Sequence, residues 1–259
     1  MKASISIISD VDGVLRQNKE PIGKQVIQAI KQVARGVNFS ALSGAPIHHL
    51  EDLFEIPITV FGEMGGVKRN GLSGEIKIDE EKRKEIEDFK EIISLKKEDG
   101  LTEIKLDGRS VPVIVEGPRF TSICILGGSP PHYPWRVPPI IEKVVEKIEE
   151  IIERHGFKLS CIPGSIPEKD RKSKKYNWLE IVSVTKEETV RQLIKKTQKV
   201  YYIGDGTSDF RVMEKLPGII PVAIENSIPE IQKIAKGKGI FINKPGPQGF
   251  LEFIEKHIL

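Results

Sequence analysis

Short apolar runs alternate with helix-periodic segments at both ends of this chain, and a long stretch of different character separates the two alternating parts. Near the start, the β-branched run Ala3 to Ser9 stops abruptly at Asp10. From Pro21 to Arg35, Ile22, Val26, Ile27, Ile30 and Val33 recur at helical spacing, with Pro21 suited to a first turn. Val37 to Leu42 reads as a second strand ending at Ser43-Gly44, Ile47 to Leu53 as a helix, and Ile56 to Phe61 as a third strand. The alternation resumes at Thr185. Helices are predicted at Lys186–Lys196, Ser208–Lys215, Pro229–Ala235 and Gln248–His257, with strands at Val200–Ile203, Ile219–Ala223 and Ile240–Ile242. Such a pattern predicts an α/β fold in which a parallel sheet carries helices on its faces. Both ends of the chain would build it.

The middle follows another rule. Gly62 to Ile78 is Gly-rich and hairpin-like, and a charged amphipathic helix follows from Asp79 to Lys97. Strands are expected at Val111–Glu116 and Phe120–Leu126, then a Pro-rich turn from Ser129 to Pro139. Ile140 to His155 carries Ile141, Val144, Val145, Ile148, Ile151 and Ile152 on one helical face, and strands at Phe157–Ile162 and Trp178–Val182 complete the segment. Helix, two strands, helix, two strands describes an α+β domain. The expected division is therefore a core domain of residues 1–79 and 183–259 and an inserted domain of residues 80–182. A chain of 259 residues is long enough for two such cores.

Composition narrows the class of function. With 39% hydrophobic and 30% charged residues the chain resembles an ordinary soluble protein. A formal charge of +3 supplies no electrostatic reason for nucleic-acid binding, and the basic run Lys169 to Lys175 reads as a solvated loop. Cys124 and Cys161 lack both metal-ligand spacing and disulfide density, so buried free thiols are expected. No apolar run approaches a membrane span, and the few residues before Asp10 are too short for a signal peptide; a cytoplasmic enzyme is the expectation. A homodimer is compatible with these features, but none of them encodes an interface.

In open parallel sheets, ligands bind beyond the carboxyl ends of the strands. Asp10 and Asp12 follow the first strand there, Ser43 and Gly44 the second, and Asp205 with Asp209 the strand Val200–Ile203, while Lys186 opens the helix that re-enters the sheet domain. These residue types suit phosphate-ester hydrolysis. The uncatalysed reaction needs on the order of 20 kcal/mol of transition-state stabilisation. A carboxylate nucleophile divides it into two easier steps, but two anions repel. A divalent cation held between Asp10, Asp205 and a phosphoryl oxygen would cancel that repulsion, and hard oxygen ligands suit Mg²⁺. Lys186 and Ser43 would hold the remaining phosphoryl oxygens, and Asp12 would shuttle the proton. Neither Gly-rich turn ends in the Gly-Lys-Ser/Thr of a nucleotide P-loop.

Ser9-Asp10-Val11-Asp12-Gly13-Val14 resembles the first motif of the haloacid dehalogenase superfamily. Ser43-Gly44 is similar to the second, Lys186 to the third, and Gly204-Asp205-Gly206-Thr207-Ser208-Asp209 to the fourth, in that order. Gly62-Glu63-Met64-Gly65-Gly66 and Val222-Ala223-Ile224-Glu225-Asn226-Ser227 resemble its subclass IIB. That group includes Cof-type sugar phosphatases, archaeal phosphoglycolate phosphatases and sucrose-phosphate phosphatases. The resemblance implies a Rossmann-like core with an inserted cap between the second and third motifs, Asp10 as nucleophile and Asp12 as general acid/base. It also implies Mg²⁺ held by Asp10, Asp205 and the Asp12 backbone carbonyl, with Asp209 a ligand or the orienter of one. Two positions depart from the pattern: Ser208 replaces a frequent Asn, and Ala45 a frequent Arg.

Other candidates have plainer readings. His48 and His49 are expected at an exposed helix start, and Ser43 alone could cap that helix. His132, Tyr133 and Trp135 would line the cap or pack in a loop, and Arg119 with Lys174 could read a second anionic group. The predicted function is hydrolysis of a small phosphate ester, phosphoglycolate or a sugar phosphate. A phosphomutase such as a phosphomannomutase, or a non-catalytic regulator on the same fold, is the alternative.

Overall fold

The computed structural model describes residues 5–17, 20–54, 56–71, 74–94, 96–98, 101–106, 108–126, 140–164, 175–176, 178–195 and 197–259. The expected Pro-rich turn with His132, Tyr133 and Trp135, Lys174, and all of the basic run before Lys175 lie outside the described residues. The chain divides into two compact units, residues 1–77 with 185–259 and residues 78–184.

The first alternating stretch forms β1 (Ile5–Ser9), α1 (Lys24–Val33), β2 (Asn38–Leu42) and β3 (Thr59–Gly62). Between β2 and β3 the expected helix is absent. Residues Ile47–His49 and Glu51–Leu53 form two 3-10 turns instead. Ile47, Leu50 and Leu53 recur every third residue, a spacing that places them on one face of a 3-10 helix and, over so short a stretch, of an α-helix as well. Next come β4 (Val67–Asn70), antiparallel to β3 as the hairpin reading requires, and β5 (Ile76–Ile78).

The second unit holds α2 (Glu80–Ile92), β6 (Lys96–Glu98), β7 (Leu101–Leu106), β8 (Arg109–Glu116), β9 (Ser122–Leu126), β10 (Ile140–Ile141), α3 (Glu142–His155), β11 (Ser160–Pro163), β12 (Lys175–Tyr176) and β13 (Trp178–Val182). Six of these strands form an antiparallel sheet in the order β11-β13-β9-β8-β7-β6, and β10 pairs with β12. Strands β6, β7, β10 and β12 were not expected. Sequence periodicity runs the predicted helix to Lys97, but α2 stops at Ile92, Ser94 takes a positive φ of 49°, and β6 pairs with β7. The run Lys96-Lys97-Glu98 is charged because it forms the sheet edge, and that charge is what made it look helical. One core unites the sheet with both helices: Ile86 and Phe89 of α2, Ile148 and Ile151 of α3, and Ile123 and Ile181 of the strands are buried together. Cys124 and Cys161 are buried, and neither forms a disulfide among the described residues.

The chain returns through α4 (Lys186–Ile194), β14 (Lys199–Ile203), α5 (Thr207–Lys215), β15 (Ile219–Ile224), α6 (Pro229–Lys238), β16 (Ile240–Ile242) and α7 (Gly246–His257). The first unit's sheet has the order β16-β15-β14-β1-β2-β3-β4-β5 and is parallel from β16 through β3. Helices cover both faces. Val190, Val212, Met213, Ile231 and Ala235 of α4, α5 and α6 pack with Tyr202 on one face, whereas Phe250 and Phe253 of α7 meet Phe39 and Tyr201 on the other. Tyr201 and Tyr202 point oppositely because strand side chains alternate. Among the described residues, no helix is long and apolar enough to cross a membrane.

Candidate active site

Strands β1 to β3 step across the sheet one way and β14 to β16 the other, so the winding reverses between β1 and β14. Loops at the carboxyl ends of two such strands leave in opposite directions and open a crevice. Ser9 lies opposite Ile203 in this pair, and the Asp10 N–H donates to the Ile203 carbonyl at 2.8 Å. Asp10 therefore caps β1 directly beside the Gly204-Asp205-Gly206 turn.

Lys186 reaches the same place from α4. Its helix opens on a reciprocal cap: Thr185 Oγ1 accepts from the Glu188 N–H at 3.2 Å, and Glu188 Oε2 accepts from the Thr185 N–H at 2.7 Å. A second contact locks α4 one turn on, where Thr189 Oγ1 donates to the Met64 carbonyl at 2.9 Å. Gly65 makes that approach feasible, since its φ is +114° and a Cβ there would lie 1.9 Å from Thr189 Oγ1. The Gly-Glu-Met-Gly-Gly stretch thus acts as the seat of α4.

So held, the buried Lys186 ammonium donates to Asp209 Oδ1 at 2.8 Å and lies 2.9 Å from Asp10 Oδ2. Asp209 is fully buried and saturated. Oδ1 also accepts from Tyr202 Oη at 2.6 Å, and Oδ2 accepts from the N–H groups of Asp205 and Gly206 at 3.2 and 3.0 Å. Four donors match the acceptor capacity of one carboxylate. Of the two roles sequence suggested for Asp209, this arrangement fits the orienter, which turns the 204–206 loop and fixes Lys186. Asp10 keeps more freedom, because among the described residues Oδ1 accepts from the Val11 N–H alone, at 2.7 Å.

One oxygen from each of Asp10, Asp205 and Asp209 lies within 4.8 Å of the others. Three carboxylates against one ammonium leave negative charge in excess. Burial and the Asp209 charge push the Asp10 carboxyl well above the usual range, against the pull of Lys186. The same two causes raise Asp205, to about 7. Asp209 goes the other way, because the Lys186 charge and hydrogen bonds outweigh its burial. Burial lowers Lys186, yet Asp10 and Asp209 outweigh that and hold it above its ordinary value. Burial and the neighbouring Asp209 charge keep Tyr202 a protonated donor. Hard oxygens, a shortage of positive charge and mutual proximity all fit a divalent cation.

Asp12 is not in that cluster. Its carboxylate, about two-fifths exposed, accepts from Arg16 Nε at 2.7 Å. Ser43 sits beyond β2, two residues past the Ala41 that faces Ser9, and its Oγ accepts from the Ala45 N–H at 3.0 Å. It is a turn residue with a hydroxyl proton to offer, not the cap of a helix. Gly44 lies between them in this turn, whose Ala45 carbonyl accepts from the Glu63 N–H at 2.9 Å. Ser208 lies half-buried in the first turn of α5. His48 and His49 are exposed, and their rings meet edge to face. Arg119, suggested as a reader of a second anion, is buried within the other unit against Glu116, Glu180 and Ser122, so its charge is already matched.

Three contributors were given no role from the sequence: Tyr202, which was not singled out, and Asn226 and Ser227, which entered only within a resembling stretch. Tyr202 could have been found from strand alternation, since a buried tyrosine hydroxyl requires a partner. Asn226 donates through Nδ2 to the Gly13 carbonyl at 3.0 Å and to Asp205 Oδ2 at 3.1 Å, while its Oδ1 accepts from the Gly246 N–H at 2.7 Å. Ser227 beside it donates to the Gly204 carbonyl at 3.1 Å. No spacing rule links residue 226 to 205. Gly13 completes the closure, as a Cβ at its φ of +81° would lie 2.0 Å from Asp205 Oδ2.

No protein-family model and no curated protein sequence matches this chain. Solved structures do. A haloacid dehalogenase-like hydrolase from Bacteroides thetaiotaomicron is 20% identical, with a TM-score of 0.57 over 97% of this chain and 98% of that one. The fold is haloacid dehalogenase-like. The sucrose-phosphatase of Synechocystis sp. PCC6803, solved with sucrose and phosphate, shares it at 14% identity and a TM-score of 0.59, covering 97% of each chain. So does trehalose-6-phosphate phosphatase of Aspergillus fumigatus, at 14% identity and a TM-score of 0.59, covering 98% of this chain and 92% of that one. Within this haloacid dehalogenase-like fold, Asp10, Lys186, Asp205 and Asp209 meet at the winding reversal.

Proposed function

We propose that this chain is a Mg²⁺-dependent phosphatase that hydrolyses a small phosphorylated metabolite, with a sugar phosphate as the leading class, through an aspartyl-phosphate on Asp10. The observation that carries the reading is the contact of Lys186 with both Asp10 and Asp209 in a buried cluster that keeps an excess of negative charge. The sugar-phosphate class rests on the phosphatases of similar fold named above.

Asp10, Asp205 and the Asp12 carbonyl would hold the cation, which supplies charge neutralisation at the phosphoryl oxygens. Asp209 orients the Asp205 loop through two backbone N–H groups. Lys186 neutralises the buried carboxylates and is close enough to Asp10 to donate to a phosphoryl oxygen bound there. The Ser43 hydroxyl and the Gly44 N–H would bind the remaining oxygens. Asp10 attacks phosphorus as the ester oxygen leaves with a proton from Asp12. Asp12 then takes a proton from the water that releases phosphate.

Phosphate release from a panel of sugar phosphates, phosphoglycolate and p-nitrophenyl phosphate, with Mg²⁺ or with chelator, tests the reading. Asp10→Asn is expected to lower kcat by on the order of a thousandfold or more. Undiminished turnover by the Asp10→Asn protein, or a chain inert to the whole panel, removes the reading. Isomerised sugar phosphate in place of free phosphate marks a mutase.

A further inference from the structure

The loop after β1 folds back on itself within five residues. The Gly13 N–H donates to the Arg16 carbonyl at 2.8 Å, and the N–H groups of Leu15 and Arg16 donate to the Val11 carbonyl at 2.9 and 3.1 Å. This brings residues 12 and 16 into a β-bridge. The guanidinium then faces the Asp12 carboxylate edge-on, with Nε at 2.7 Å from Oδ1 and Nη2 at 3.4 Å from Oδ2. An exposed ion pair of this spacing on a helix would contribute little. This pair is different: the Arg16 side chain is only 7% exposed, and the loop that holds it is closed by backbone hydrogen bonds and by Asn226 at the Gly13 carbonyl. A forked guanidinium fixes a carboxylate in orientation as well as position.

We infer that Arg16 is the positioning residue of Asp12, aiming its carboxyl for proton transfer to the ester oxygen. The inference rests on the phosphatase reading above. In the first step an Asp10 oxygen bonds to phosphorus, the bond from phosphorus to the ester oxygen breaks, and the Asp12 proton passes to that oxygen to release an alcohol. In the second, a water oxygen bonds to phosphorus, its proton passes to the Asp12 carboxylate, and the Asp10–phosphorus bond breaks. Between the steps Asp12 is a carboxylate, and Arg16 holds that form in place. A guanidinium that stabilises the carboxylate left behind helps most when the leaving oxygen needs the proton.

Leaving-group dependence therefore separates positioning from packing. Nitrophenolate departs without a proton, whereas a sugar alkoxide does not. Wild type, Arg16→Ala, Arg16→Lys, Asp12→Asn and the Asp12→Asn/Arg16→Ala double variant are compared on p-nitrophenyl phosphate and on the sugar phosphate turned over fastest. For Arg16→Ala, kcat on the sugar phosphate is expected to fall at least about tenfold more than on the nitrophenyl ester, within the range proton transfer contributes. Asp12→Asn is expected to show the same bias, the double variant to be no slower than Asp12→Asn, and Arg16→Lys to recover part of the loss. Should the Arg16→Ala protein fail to fold by circular dichroism, Arg16→Lys, which lacks the fork, carries the same ratio test. Equal losses on both esters, or a loss that adds in full to that of Asp12→Asn, would make Arg16 a packing residue and overturn the inference alone. An inert wild type, or an Asp10→Asn protein that still turns over, overturns the phosphatase reading and the inference with it.

Discussion

Asp10, Asp205 and Asp209 are chemically the same side chain, and their neighbours divide their tasks. Asp209 receives four donors and is held as a carboxylate, while Asp10 and Asp205 carry the unbalanced charge. Titration exposes the difference. An unfolded aspartate titrates near about 4, whereas Asp205 in the metal-free fold is raised to about 7. Between these values the folded chain binds a proton that the unfolded chain has lost, so stability falls as pH rises through that window. Asp10 acts in the same sense, and Asp209, being lowered, acts oppositely and only at more acidic pH. A bound divalent cation favours the ionised carboxylates. The rise in thermal midpoint on adding Mg²⁺ is therefore expected to be larger at about pH 8 than at about pH 5, as measured by calorimetry against chelator. A shift equal at both values would contradict the charge imbalance described here.

Elements deliver these residues to one point, and each does so by a different device. β1 and β14 rely on parallel register, the 204–206 loop on Asp209 and Asn226, and α4 on its cap and its seat at Met64. Since Lys186 is the first residue of α4, the cap controls its placement. Thr185→Ala removes one half of the reciprocal cap and is expected to cost about 1 kcal/mol of stability. Chemical denaturation measures this, and a midpoint unchanged from wild type would show the cap to be redundant with the Thr189 contact. Sequence made much of this visible: the strand ends and the order of the acidic motifs are local patterns. It did not reveal the 3-10 turns after β2 or the edge strand after α2, because three-residue apolar spacing and a charged edge both imitate an α-helix over a short window.

At the scale of the molecule, two cores are built from one chain. The inserted unit packs α2 and α3 on an antiparallel sheet with its own buried set, and its helix residue Ile148 is fully buried there. Ile148→Ala is expected to destabilise that unit by about 2–5 kcal/mol, through lost apolar contact and the cavity left behind. Hydrogen exchange should show the protection loss within residues 78–184, the limits of that unit. Loss of protection spread evenly over the whole chain would instead mark a single cooperative core.

By itself the sequence determined the fold class, the interruption of the sheet domain and the candidate set Asp10, Asp12, Ser43, Lys186, Asp205 and Asp209, because strand endings and acidic turns are written in neighbouring residues. Only the tertiary structure decided how that set is divided. Asp209 is saturated because Tyr202, Lys186 and two backbone N–H groups reach it, Asp12 is docked on Arg16 because a loop closes, and Asn226 binds Asp205 across a long interval of chain. Hydrogen bonds form between atoms that are close in space, and no spacing along the chain encodes which distant donors will meet a given carboxylate.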